Sequence, residues 1–419
     1  ARSAAPASLC GGDGDVIRRV AFLSIHTSPL AVPGAGEAGG MNVYVHEVAT
    51  EMERRGVAVD VFTRRSDRDV PAVVRAGYRV IHVDAGPPEP LPITKLADFV
   101  GAFAEGVVAR EARAGAEYDL VHSHYWLSGW AGVLIGEVLE IPLAISFHTL
   151  GRVKDASRRD DEAPTSLLRI AAETEVIARA GCVVASTPAE AEELMEHYAA
   201  RPERLCVSPP GVDHSVFCPG SRGEARAELG LPDGPLVLFV GRIQPLKGID
   251  VAVAAFADVA AAVPGVRLLV VGGPSGPQGN SEMARLSAMA SEFGVADRIE
   301  VRGPMPHREL ATVYRSADVL LVPSRSESFG LVAVEAQACA LPVVAAEVGG
   351  LAHTVVDGES GFLVSGWNPA GYAEAVRRIL DDTKTAARLS RGALAHAETF
   401  SWSASTQRLL ELYEGITAG

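Results

Sequence analysis

Asp318-Val319-Leu320-Leu321-Val322-Pro323-Ser324-Arg325-Ser326-Glu327-Ser328-Phe329-Gly330-Leu331-Val332-Ala333-Val334-Glu335-Ala336-Gln337-Ala338 is one complete strand–loop–helix unit. It opens with an apolar run that lacks polar alternation, as in a strand covered on both faces of a parallel sheet. Serines, charges and a glycine break the run, and an Ala- and Val-rich helical stretch follows. Outward from this unit the same succession recurs. Short apolar runs at 19–25, 57–63, 80–83, 120–123, 143–147 and 182–186 precede it in the first half. Those at 236–240, 268–271, 299–301, 319–322, 342–346 and 362–364 make up the second, and each run leads into a helical pattern. Alternating strand and helix signals predict an α/β chain of two doubly wound, Rossmann-like units facing a cleft.

The joint falls at Pro209-Pro210-Gly211-Val212-Asp213, where two prolines and a glycine end the first unit. The first unit thus spans 18–213 and the second 214–400, about 200 residues each, enough for one open sheet with its own core. Residues 401–419 form a final helical stretch without a partner strand, expected to cross back onto the first unit. Residues 1–17 are small and Gly-rich without an apolar core, and read as a disordered leader and not a signal peptide.

Of 419 residues, 48% are hydrophobic and 21% charged, which excludes a disordered chain, and no run is long enough to span a membrane. With 38 Lys+Arg against 52 Asp+Glu the formal charge is −14, so nucleic acid is not an expected partner. Any phosphate must be met by a few placed cations and backbone amides. Five cysteines without a CxxC spacing point to reduced thiols, a cytoplasmic location and no zinc site.

Ligands of doubly wound sheets bind beyond the carboxyl ends of the strands, and four segments there carry chemistry. Gly241-Arg242-Ile243-Gln244-Pro245-Leu246-Lys247-Gly248 places two cations before a helix, where a diphosphate would be met. The plainer alternative is a solvated loop. Glu327 and Glu335 are eight apart, and Glu335 lies in an almost wholly apolar helix. An ionised carboxylate there needs strong donors, such as a ribose diol, unless it sits in an internal ion pair. The amides of Ser328, Phe329, Gly330 and Leu331 open that helix.

Gly34 to Gly40 is not a GxGxxG loop, which argues against a dinucleotide oxidoreductase, but Gly39-Gly40 allows close backbone approach to an anion. His26, His122, His124 and His148 all follow strands. No carboxylate completes a metal motif beside His122 and His124, and His148, closing a buried run, is the functional candidate. Arg169 reads from spacing as an i,i+4 partner of Glu173. The charged segment 151–164 reads as a long functional or mobile loop. A non-catalytic sugar-nucleotide sensor on the same fold is the remaining alternative.

The Arg242/Lys247 pair with Glu327-Ser328-Phe329-Gly330-Leu331 and Glu335 resembles the signature of the family 4 retaining glycosyltransferases of GT-B fold. Gly39-Gly40-Met41-Asn42, His122-Ser123-His124-Tyr125-Trp126 and His148-Thr149 resemble the branch that moves N-acetylglucosamine from UDP-GlcNAc to 1L-myo-inositol 1-phosphate. The resemblance implies that Arg242 and Lys247 hold the diphosphate with Gly40, Glu335 the ribose, Met305 the base, and Glu327 with the amides at 328–331 the sugar. It gives catalytic roles to His148, Arg242, Lys247 and Glu327. It places His26, Asn42, Tyr125, Thr149, Arg169 and Lys95 on the acceptor side. It further implies a homodimer and no metal or cofactor beyond the nucleotide sugar substrate. The departures gather at the acceptor: Ile93, with Lys95 two residues on, stands where the family has a phosphate-binding lysine, and Glu37 and Val153-Lys154-Asp155 also differ. They keep open a paralogous antibiotic-biosynthesis enzyme that uses a UDP- or GDP-sugar and a non-phosphorylated acceptor, such as the sulfur of ergothioneine.

Overall fold

The computed structural model describes residues 17–418 apart from Ala35, Ala116 and Pro277. The first sheet contains β1 (Arg19–Leu23), β2 (Ala58–Arg64), β3 (Val73–Arg75), β4 (Arg79–Val83), β5 (Leu120–His124), β6 (Leu143–Ser146), β7 (Cys182–Ala185) and β8 (Leu205–Val207). The second contains β9 (Leu236–Val240), β10 (Arg267–Val271), β11 (Ile299–Arg302), β12 (Val319–Val322), β13 (Val343–Ala346) and β14 (Gly361–Val364). Their orders are β3-β4-β2-β1-β5-β6-β7-β8 and β11-β10-β9-β12-β13-β14. Every pair is parallel except the edge hairpin β3–β4. The direction of winding reverses between β1 and β5 and again between β9 and β12. These are the switch points, where diverging loops open a crevice.

All the longer apolar runs are strands. The two strands that the runs do not show, β3 and β8, are three-residue edge pieces, mostly half-buried. Edge position removes the need for apolar residues on both faces, so they carry no continuous run. The segment 151–164 is not structureless: Gly151–Ala156 is a helix. Its start is fixed from outside the segment, because the Glu173 carboxylate accepts from the Gly151 N–H at 3.0 and 3.2 Å.

The core of the second unit is one cluster spanning both faces of its sheet, and the first unit has one cluster on each face. Ile17, assigned above to the leader, is 4% exposed within one of these. Residues 1–16 lie outside the described residues. The helix Trp402–Thr417 packs on Gly40–Arg54, burying Trp402, Leu409 and Tyr413 beside Val48 and Met52. Tyr413 Oη bonds His122 Nδ1. The two chain crossings lie side by side, since Val212 pairs with Ser401. Cys182, Cys206, Cys218 and Cys339 are free thiols, and Cys10 lies outside the described residues.

Candidate active site

The facing switch points enclose a cavity of about 910 Å³. Gly248 sets how closely two of its loops approach. It has φ +67, and a Cβ there would collide with the Pro323 carbonyl, so only glycine lets the loop after β9 lie against the loop after β12. That approach brings Lys247 Nζ to 2.5 Å from Glu327 Oε2, although the two are 80 residues apart. Arg242 Nη1 contacts Ser275 Oγ at 3.3 Å and reaches across the cleft to the Glu37 carbonyl at 3.4 Å. Gly330, at φ +96, turns the chain into the helix Leu331–Ala338, whose first residues Leu331 and Val332 line the cavity.

Glu335 lines this cavity at 4% exposure. It accepts from Tyr314 Oη at 2.8 Å, and burial pushes its carboxyl up to about 7. Among the described residues neither Lys nor Arg pairs with it. The nearest candidate is His307, at 3.8 Å, which burial keeps below its usual range. The internal ion-pair alternative therefore fails.

On the opposite wall, Arg169 keeps the partner that its spacing predicts and also lines the cavity. Its Nε bonds the fully buried Glu173 at 2.7 Å, as the spacing predicts. Its other nitrogens reach Tyr125 Oη at 3.1 Å, the Thr149 carbonyl at 2.9 Å and Thr149 Oγ1 at 3.1 Å, so three cleft-lining side chains form one rigid corner. His148 closes β6 with φ +61, its carbonyl accepting from Ser328 Oγ of the other unit at 2.7 Å. Burial first, then Arg242 and other cations, pushes His26 down to about 3, and burial alone does the same to His148. Both rings are neutral at physiological pH.

His26, Gly40, Tyr125, His148, Thr149, Arg169, Arg242, Lys247, Met305, residues 327–331 and Glu335 all line the cavity. Two expected residues do not. Asn42 is 1% exposed, and its amide is consumed by Gly39 N at 2.8 Å, Thr27 Oγ1 at 2.8 Å and the Ser28 carbonyl at 2.7 Å. It ties two loops together instead of facing an acceptor. Lys95 is exposed on the short helix Ile93–Leu96, which turns Ile93 and Thr94 to the cavity instead. Lys154 does line the cavity and, among the described residues, has no carboxylate partner. In a sequence, a lysine inside a charged stretch is indistinguishable from a solvated one. The same stretch sends Arg159 across the cleft mouth to Glu282, at 2.6 and 3.2 Å. Among the described residues no three His, Cys, Asp or Glu side chains gather as metal ligands would, and no helix is long and apolar enough to cross a membrane.

Two facing Rossmann-like sheets with a cavity between their switch points have the GT-B glycosyltransferase fold, and the chain belongs to the family 4, group 1 glycosyltransferases. The Glycosyltransferase Family 4 model matches residues 38–216 and the Glycosyl transferases group 1 model residues 221–396. Among its relatives is the D-inositol 3-phosphate glycosyltransferase of Acidothermus cellulolyticus, 48% identical over 96% of this chain and 91% of that one. The Corynebacterium efficiens enzyme of the same name is 44% identical over 95% and 96%. A sucrose-phosphate synthase from Thermosynechococcus elongatus superposes with TM-score 0.88 at 35% identity, covering 95% of this chain and 98% of that one. Anabaena HepE, solved with UDP and glucose, shares the fold with TM-score 0.75 at 20% identity, covering 94% and 99%.

Proposed function

We propose that this enzyme transfers N-acetylglucosamine from UDP-GlcNAc to 1L-myo-inositol 1-phosphate, keeping the α configuration. That acceptor is the compound also numbered D-inositol 3-phosphate, for which the relatives are named. The observation that carries the reading is the meeting of Arg242, Lys247, Glu327 and Glu335 at the switch point of the second sheet, opposite Gly40. In this reading residues 214–400 hold the donor. Arg242, Lys247, the Gly40 amide and the amides at 328–331 stabilise the departing diphosphate, where charge develops. Glu335 accepts from the ribose, Glu327 from the sugar, and the backbone at Met305 meets the base. Residues 18–213, with the returning helix 401–419, hold the acceptor against His26, Tyr125, Thr149 and Arg169.

The acceptor attacks the face that the diphosphate leaves, so no carboxylate nucleophile is required, and the leaving phosphate takes the acceptor proton, so no carboxylate base is required either. Glu327 fits this, because its charge is already engaged by Lys247. The antibiotic-type alternative gains nothing from relatives that are named for inositol phosphate. The homodimer and the cytoplasmic location remain part of the proposal; light scattering tests the first. The deciding experiment incubates the protein with UDP-GlcNAc and inositol 1-phosphate and follows UDP release. Release that needs both substrates supports the reading. No release, with tight GDP binding, overturns it in favour of the alternative.

A further inference from the structure

Behind His148 lies a column of buried rings that the proposed reaction does not use. His124 Nδ1 is 3.1 Å from His148 Nε2, and the ring of His122 stacks 4.4 Å from that of His124. His122 is satisfied on both sides, by Tyr413 Oη and by Ser146 Oγ at 3.0 Å. His124 is not, because its Nε2 is buried with no hydrogen-bond partner. His148 Nδ1 has no partner among the described residues, and its ring lines the cavity.

Burial keeps both His124 and His148 neutral, so each ring carries one N–H. The 3.1 Å contact needs one donor and one acceptor. Were His148 Nε2 the donor, the proton of His124 would sit on its Nε2 as a buried N–H with nothing to receive it. In the other arrangement His124 donates from Nδ1 and leaves only a lone pair unmatched on Nε2. Orphaned buried N–H groups are the rarer and costlier defect. The second arrangement puts the proton of His148 on Nδ1.

We propose that His124 is a positioning residue that fixes His148 as an Nδ1–H donor toward the cavity. His148 then gives a hydrogen bond to an oxygen of the bound sugar nucleotide and has no free lone pair with which to deprotonate the acceptor. This consequence for the reaction rests on the glycosyl-transfer reading above, while the tautomer itself does not.

The test is 15N spectroscopy of histidine-labelled full-length protein, with His148 assigned by its loss in His148→Gln. Wild type is expected to show a protonated Nδ1 and a bare Nε2 at His148; a protonated Nε2 overturns the proposal. His124→Phe keeps a ring but removes the donor. It should mix the two His148 tautomers and lower kcat roughly tenfold or more, with little change in donor KM. His124→Asn retains an amide N–H near the Nδ1 position and should restore both the tautomer and most of kcat. An unchanged His148 signal in His124→Phe overturns the proposal. Should His124→Phe fail to fold, the wild-type and His124→Asn spectra still decide. Should wild type transfer no sugar, the spectra judge the tautomer independently.

Discussion

Lys247 and Glu327 form an ion pair between the loops that follow β9 and β12, at the point where the second sheet reverses its winding. The pair keeps a cation beside the helix start at Leu331, and it holds a carboxylate whose oxygens remain within the cavity. Lys247 is 21% and Glu327 16% exposed, so water screens the pair only partly.

Loss of either diphosphate cation should slow the chemical step. Arg242→Ala and Lys247→Ala are each expected to lower kcat by about 100-fold or more, the scale of removing one preorganised donor from a developing anion. Arg242→Lys should recover only part of this, because the guanidinium fork is lost. Steady-state UDP release measures all three. Wild-type rates in both alanine variants would remove the diphosphate assignment.

Nucleotide affinity should depend on pH through Glu335. Its folded carboxyl titrates near 7, so it is mostly protonated at pH 6 and mostly ionised at pH 8. An ionised carboxylate accepts from a ribose diol better than a protonated one, so UDP should bind more tightly at pH 8. UDP's own terminal phosphate titrates in the same range, and Glu335→Gln separates the two effects. The variant should lose the part of the pH dependence that belongs to the protein. Calorimetric titration at both pH values decides, and equal slopes for wild type and variant would clear Glu335 of this role.

Arg159 should stabilise the closed cleft. Its side chain is 10% exposed and its partner Glu282 only 4%. Arg159→Ala leaves a buried carboxylate unpaired, which costs about 3 kcal/mol in such settings. Urea unfolding should show that loss, and donor KM should rise with it. Arg159→Lys, which keeps a cation toward Glu282 and the neighbouring Asp161, Glu162 and Asp250, should return part of both.

The acceptor phosphate should feel Lys154 more than Arg169's net charge. Arg169 is neutralised by buried Glu173, whereas Lys154 has no such partner among the described residues. Lys154→Ala should raise KM for inositol 1-phosphate about 10-fold or more, the scale of one charge-assisted hydrogen bond. Donor KM should stay unchanged, and Lys154→Arg should restore affinity. An equal effect on unphosphorylated inositol would disconnect Lys154 from the phosphate.

The cavity wall of the second unit was legible because its charged residues are local in sequence. Arg242 and Lys247 share one loop, and Glu327 and Glu335 flank one helix start. Glu335 announced itself by its apolar neighbours. The wall of the first unit was less so, because its corner is assembled from Tyr125 after β5, Thr149 after β6 and Arg169 on a later helix. Asn42, set on the acceptor side by the resemblance alone, is held as a buried backbone clamp, and an asparagine near a glycine pair gives no sign in sequence of which of the two it serves. Lys95 misled because a shift of two residues on a helix turns a side chain to another face, which here brought Ile93 inward.

By itself the sequence determined two wound α/β units and the loops that line the cleft, because strand burial and helix periodicity are written in runs of neighbouring residues. Only the tertiary structure decided which loops face each other across the cleft, that Lys247 reaches Glu327, that Arg159 reaches Glu282, and that His124 stands behind His148. Those relations join residues brought together by sheet order and by the meeting of the two units. The distances and burial that set their energies exist only once each unit has folded and, for Arg159 and Glu282, once the two units face each other.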